Sequence, residues 1–222
     1  MERVSEPELM TEDDQAKAYA LADFEEAHRR MLEAFGELFP SIRHSGHAID
    51  LGCGPGDIAC RFAERYPGWR VDGVDASPAM LGYGPVIMDR YPGVEKRVRL
   101  VEGLLPDCTL PRETYDAVLS NSLLHHLAEP QVLWTAVRRL AGSGAPVLIM
   151  DLVRPAEKGL VDDLVEQYAA GEPEVLRRDF ANSLRAAYRV DEVQSQLAGA
   201  QLPWLSVRVV TDRHLVVSGV AP

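Results

Sequence analysis

Asp50-Leu51-Gly52-Cys53-Gly54-Pro55-Gly56-Asp57 is the stretch that decides the fold. It ends a short apolar run, Ala48-Ile49-Asp50-Leu51, and precedes residues 58–66, whose apolar positions recur at helical spacing. The local order is therefore strand, tight turn, helix. Three glycines at alternate positions let the backbone turn sharply and let a ligand approach the main chain with no Cβ in the way. A dinucleotide-binding loop would carry its third glycine at position 57, but that position is Asp and the third glycine is Gly56. One carboxylate opens the turn and another follows it, so a pyrophosphate is disfavoured here and a cationic ligand favoured.

The unit recurs on the C-terminal side. Residues 69–75 read as a second strand, and Ser77-Pro78 as a helix start with Ser as N-cap and Pro at the first helical position. That helix is expected to run to about residue 89, with Gly82, Gly84 and Pro85 weakening its middle. Residues 97–102 and 115–120 read as strands, 131–140 as a helix, and 146–151 as a fifth strand, apolar at nearly every position as a buried parallel sheet requires. Residues 11–39 read as one or two amphipathic helices, closed by Pro40. Residues 158–170 and 191–200 read as helices flanking a mixed stretch, and 205–210 and 213–218 as strands joined by a turn at Thr211-Asp212. The alternation predicts an α/β fold, a doubly wound parallel sheet to which the final hairpin adds an antiparallel strand. We expect one domain over 1–222: N-terminal helices (1–46), a ligand-binding core (47–151), and helices with the terminal hairpin (152–222).

Composition narrows the partners. The 222 residues hold 23 Lys+Arg against 34 Asp+Glu, a net charge of −11, with 46% hydrophobic residues. A chain this long buries about 70% of its unfolded surface and needs no staple. An acidic chain repels a phosphate backbone, so nucleic acid is excluded as a bulk-charge partner. Cys53, Cys60 and Cys108 form no disulfide framework, and neither a signal-peptide core nor a membrane-length apolar run is present. A cytoplasmic monomer or homodimer is expected.

Asp75 ends the second strand 25 residues after Asp50, near the spacing at which an acid reaches ribose hydroxyls in nucleoside-binding sheets. Taken with the loop, these residues resemble the class I S-adenosylmethionine-dependent methyltransferases. Asp50-Leu51-Gly52-Cys53-Gly54-Pro55-Gly56 is similar to the family's first motif, and Val74-Asp75-Ala76-Ser77 with Met80 to its second. Glu102-Gly103-Leu104 stands at the adenine-contacting position, and the run from Tyr115 to Leu127 resembles the fourth motif. Departures are Glu102, where many members have Asp, and Gly103, which removes a side chain from the adenine rim. The resemblance implies a seven-stranded sheet in the order 3-2-1-4-5-7-6 with strand 7 antiparallel. It implies S-adenosylmethionine as cofactor and S-adenosylhomocysteine as product.

Carried onto this chain, the resemblance implies that the Gly52-Cys53-Gly54 main chain passes under the methionine moiety and that Asp50 faces its amino group. Asp75, with Ala76 beside it, takes the ribose hydroxyls. Met80 and Leu104 sandwich adenine beside Gly103, and Asn121-Ser122 contact the methionine amino group by main chain. Tyr19 either packs on its helix or closes over the cofactor, and Asp57 serves either the ligand or the helix end. The implied reaction is methyl transfer to a small-molecule acceptor by in-line displacement.

His125 and His126, just after the fourth strand, are the candidate acid or base, one facing the site and the other packing or capping. As a metal pair they lack a third ligand at a supporting spacing, so no metal is expected. The stretch 168–188, with Arg177, Arg178, Asp179, Phe180, Asn182 and Arg185, stands where the family builds its acceptor pocket. The alternatives are a non-catalytic cofactor-binding or scaffold protein and a protein methyltransferase. Asn121-Ser122-Leu123-Leu124 lacks the Asn/Asp-Pro-Pro-aromatic signature of the amino-nitrogen DNA and protein-glutamine enzymes.

Overall fold

Seven apolar runs become β1 (Gly46–Leu51), β2 (Trp69–Asp75), β3 (Val98–Glu102), β4 (Ala117–Asn121), β5 (Pro146–Leu152), β6 (Leu205–Val209) and β7 (His214–Val220). The computed structural model describes residues 1–7, 13–22 and 24–222, so the expected helix start near residue 11 lies outside the described residues. The strands form one sheet in the order β3-β2-β1-β4-β5-β7-β6. The first five run parallel; β7 pairs antiparallel with β5 from Pro146↔Val220 to Leu152↔His214, and β6 antiparallel with β7. This is the expected order, with the seventh strand reversed.

Helices cover both faces, which is why every residue of β5 is buried. α1 (Asp13–Leu21), α2 (Glu25–Leu38), α3 (Asp57–Arg65), α4 (Pro78–Gly82) and α5 (Gly84–Met88) precede β3. α6 (Gln131–Leu140), α7 (Lys158–Ala169), α8 (Glu174–Ala186) and α9 (Val190–Gly199) follow β4, after a 3-10 turn at Leu124–His126. On one face Phe35 of α2 and Phe62 of α3 meet edge to face, 5.1 Å between centroids, over Trp69. On the other, Leu133, Trp134 and Val137 of α6 pack on Ile49, Val118 and Ile149.

Two elements differ from expectation. The helix expected over 78–89 is two short helices meeting at Tyr83, because Gly82 is a poor helix former and Pro85 offers no amide to the preceding turn. The mixed stretch is a regular helix, α8, whose narrow apolar face around Leu184 is hidden among arginines and packs on α7. Among the described residues no helix is long and apolar enough to cross a membrane. Strand order reverses between β1 and β4, whose neighbours lie on opposite sides, so their carboxyl ends open a crevice between the outgoing loops.

Candidate functional site

The glycine loop between β1 and α3 is held in a form only glycine adopts without strain. Gly52 has φ 68°, and a Cβ there would lie 2.7 Å from Leu123 Cδ1. The amides of Gly52 and Cys53 both donate to the Val74 carbonyl, at 2.8 and 3.0 Å. Asp75 completes the frame: one carboxylate oxygen accepts from the Gly54 amide and the other from the Ser77 amide, each at 2.8 Å. Burial pushes the Asp75 pKa up, although these amides pull the other way. Asp75 thus ties the loop to β2 and lines the crevice.

The crevice is a cavity of about 1230 Å³, and the residues expected to meet the cofactor line it, from Asp50, Gly52, Cys53 and Gly54 to Tyr19 and Asn121, together with the two histidines. Asp50 is only 1% exposed, and among the described residues neither of its oxygens makes a hydrogen bond of ordinary geometry. Burial first, then the charges of Asp75 and Asp57, push its pKa up to about 8; the Ala59 amide pulls weakly the other way. A buried, unpartnered carboxyl group on a cavity wall is costly unless a cationic or donating group meets it. With the amide-rich loop beside it and Met80 and Leu104 on the same wall, the donor set fits the ammonium, ribose and base of S-adenosylmethionine.

Asp57 goes to the architecture. His28 Nδ1, the Tyr91 hydroxyl and Arg61 Nε lie 2.6, 2.6 and 2.5 Å from its carboxylate. Burial would raise its pKa, but these partners hold it well below the usual carboxylate range. They bind α2, α3 and the segment after α5 to the loop. Tyr19, half-buried and 4.7 Å from the Phe24 ring, packs and lines the cavity at once. Glu102 is exposed and does not line the cavity.

Beyond Ser122, which adopts φ 56° at the carboxyl end of β4, the wall is built by the 3-10 turn. His125 is buried, with Nδ1 2.6 Å from Asp151 Oδ1; the other oxygen of Asp151 accepts from the Leu124 amide. Burial opposes a charged ring, but Asp151 and then Glu6 outweigh it, so the His125 pKa is raised. For His126, burial and the neighbouring His125 lower the pKa to about 3. The two rings do not point apart, as adjacent positions had suggested: their centroids are 4.2 Å apart, planes tilted 35°, and both line the cavity. A short helical turn followed by the extended Leu127 brings them alongside each other.

Several residues of this wall escape a local reading of the sequence. Glu6 reaches both histidines, its Oε1 3.6 Å from His125 Nε2 and 3.2 Å from His126 Nδ1. It therefore occupies the third-ligand position whose absence had argued against a metal. Arg3 donates to the carbonyls of His125, Leu127 and Ala186 and lies 4.1 Å over the Tyr188 ring, fixing the N-terminal segment against the turn. Arg177 and Arg185 pair with Glu166 and Asp162 on the surface, and neither they nor Arg178 line the cavity. From 168–188 the cavity receives Tyr168, Leu176, Asp179, Phe180 and Ser183, and its nearby cation is Arg213, stacked 3.3 Å over the Tyr168 ring.

Residues 49–147 match the methyltransferase-domain family. An uncharacterized methyltransferase of Mycobacterium tuberculosis is 26% identical over 180 residues, 78% of this chain and 86% of that protein. A trans-aconitate 2-methyltransferase of Paracidovorax citrulli is 32% identical over 111 residues, 50% of this chain and 39% of that one. The crystal structure of a SAM-dependent methyltransferase from Aquifex aeolicus superposes with a TM-score of 0.65 at 18% identity, covering 96% of this chain and 100% of that one. The domain match, the sheet order and the cavity converge: residues 49–147 carry a methyltransferase domain, the chain has the fold of S-adenosylmethionine-dependent methyltransferases, and the donor set of its cavity fits that cofactor.

Proposed function

We propose that the chain methylates a small-molecule acceptor. The observation that carries this reading is one continuous cavity of about 1230 Å³, which begins at unpartnered Asp50 under the glycine loop and ends at His125 and His126. Single-ligand sites fill roughly 300–1,000 Å³, so this volume suits a cofactor and a second small molecule together. The far wall mixes Tyr168, Leu176 and Phe180 with Ser183 and Arg213, which supports an acceptor with one apolar face and a polar or acidic group. A relative named for trans-aconitate points toward the same substrate class.

S-adenosylmethionine supplies a methyl group on a sulfonium leaving group. The chain's own part is to hold the two molecules in line and exclude water, a contribution of about 7–11 kcal/mol. The Gly52–Gly54 main chain and Asp50 would seat the amino acid portion, Asp75 the ribose, and Met80 with Leu104 the adenine, with Asn121-Ser122 closing the methionine end. Tyr19, which lines the same cavity, would close over the cofactor. For a neutral hydroxyl or amine acceptor, His125 and His126 are the groups placed to receive its proton.

The test is incubation of the purified protein with methyl-labelled cofactor and a cell extract separated into small-molecule, protein and nucleic-acid fractions. Label is expected in the small-molecule fraction; label confined to protein would reverse the assignment. With the acceptor in hand, His125→Ala and His126→Ala should each bind cofactor normally, and the one that removes the base should lower kcat about 10²–10⁴-fold. Full turnover by both removes the base role.

A further inference from the structure

Glu6, His125 and His126 come from two ends of the chain and place three ligating atoms within 4.8 Å of one another. Two of those atoms, Glu6 Oε1 and His126 Nδ1, are buried and lack a hydrogen-bond partner among the described residues, and the Glu6 side chain is only 9% exposed. They face each other at 3.2 Å. A carboxylate oxygen and an imidazole nitrogen, each without a partner of hydrogen-bond geometry, form a pair that a cation can bridge.

We propose that Glu6 Oε1, His125 Nε2 and His126 Nδ1 form a binding site for a divalent cation of the zinc class. On a tetrahedral ion with bonds of about 2.0–2.1 Å, ligand atoms sit about 3.3–3.4 Å apart. The observed separations from Glu6 Oε1 to the two ring nitrogens, 3.2 and 3.6 Å, bracket that value. His125 is already oriented to ligate, because its Nδ1 is 2.6 Å from Asp151, which directs Nε2 toward Glu6 in the carboxylate–histidine arrangement that supports metal-bound imidazoles. Two imidazoles and one carboxylate suit zinc, and three protein ligands leave a fourth position for water or another donor. An ion here would also fasten the N-terminal segment to the cavity wall, alongside the Arg3 contacts.

A bound ion leaves neither ring nitrogen free as a base, so it would recast the histidines as holders of charge rather than of a proton. The inference does not rest on the identity of the acceptor, and its test uses none. Full-length protein freed of metal by a chelator is titrated with Zn²⁺ by calorimetry; one ion per chain is expected, with a rise in melting temperature. Glu6→Gln, which keeps the side chain's size, should weaken binding at least tenfold, and Asp151→Asn about 10–100-fold. X-ray absorption on the zinc-loaded wild type gives a readout independent of the variants' folding: two imidazoles and one carboxylate around the ion are expected. Absence of one-to-one uptake, uptake by Glu6→Gln equal to wild type, or a coordination shell without two imidazoles would overturn the proposal.

Discussion

Asp50 carries a pKa pushed up to about 8 by burial and by Asp75 and Asp57, so near neutral pH the unliganded protein holds it mostly protonated. An ammonium group brought against it favours the carboxylate, and the proton leaves on binding. Cofactor affinity should therefore rise between about pH 6 and 7.5, at most tenfold per unit for one released proton, and calorimetry in buffers of different ionisation enthalpy should count that proton. Asp50→Asn should remove both the slope and most of the affinity. Stability runs the other way. Unfolded Asp titrates near 3.9, so between about pH 4 and 8 the unfolded state binds fewer protons than the folded one, and the fold loses stability as pH rises through that window. At pH 7.5 Asp50→Asn should stabilise the cofactor-free protein by about 1–3 kcal/mol, read from denaturant midpoints. A variant that lost both stability and affinity would show Asp50 to be a structural residue. The identity of this residue was legible because it opens a glycine-rich turn. Its isolation was not, since which donors surround a carboxylate is decided by residues distant in the chain.

Between elements, the decisive joint is Asp57. One carboxylate at the start of α3 accepts from His28 on α2, Arg61 one turn on, and Tyr91 beyond α5. Because α2 and α3 form one wall of the cavity through residues such as His28 and Ile58, loosening this joint loosens the wall. Asp57→Asn should destabilise by about 3–5 kcal/mol, as expected when one partner of a buried charged cluster is removed, and Tyr91→Phe by about 1–2 kcal/mol. The folded pKa of Asp57 is depressed, so its contribution is complete above the unfolded value near 4 and fades as pH falls through the folded one. Asp57→Asn should accordingly show a flatter acid limb in a plot of midpoint against pH. The strands and the β1–α3 turn were readable from apolar runs and alternate glycines, which are local signals. α8 was not, because most of its face is charged and only its packing on α7 reveals the apolar stripe.

Over the whole molecule, the first seven residues meet the far end of the cavity. The Met1 ammonium donates to the Ala156 carbonyl at 2.6 Å, the Val4 amide to Arg185 at 3.1 Å, and Arg3 bridges the 3-10 turn to the end of α8. No periodicity or motif ties residue 6 to residues 125 and 126; only the sheet order, which returns the chain to the β4–β5 end, brings them together. That division predicts a separation of functions. The cofactor end, formed by β1, β2 and their loops, shares no hydrogen bond with the segment among those described, so removal of residues 1–7 should leave cofactor binding intact in calorimetry. The histidine end, where the acceptor is proposed to enter, loses Glu6 and Arg3, and with them the fixed position of His125 and His126. Misplacement of a reacting group by about 1 Å can cost 10²-fold in rate, so kcat should fall by about that factor. Arg3→Ala, which spares Glu6, should lose part of that rate and about 1–3 kcal/mol of stability as the carbonyl of buried His125 loses its donor, while the Leu127 carbonyl keeps the Tyr188 hydroxyl. If truncation weakened cofactor binding as much as turnover, the two ends of the cavity would be one cooperative unit, and the segment would serve the fold rather than the acceptor.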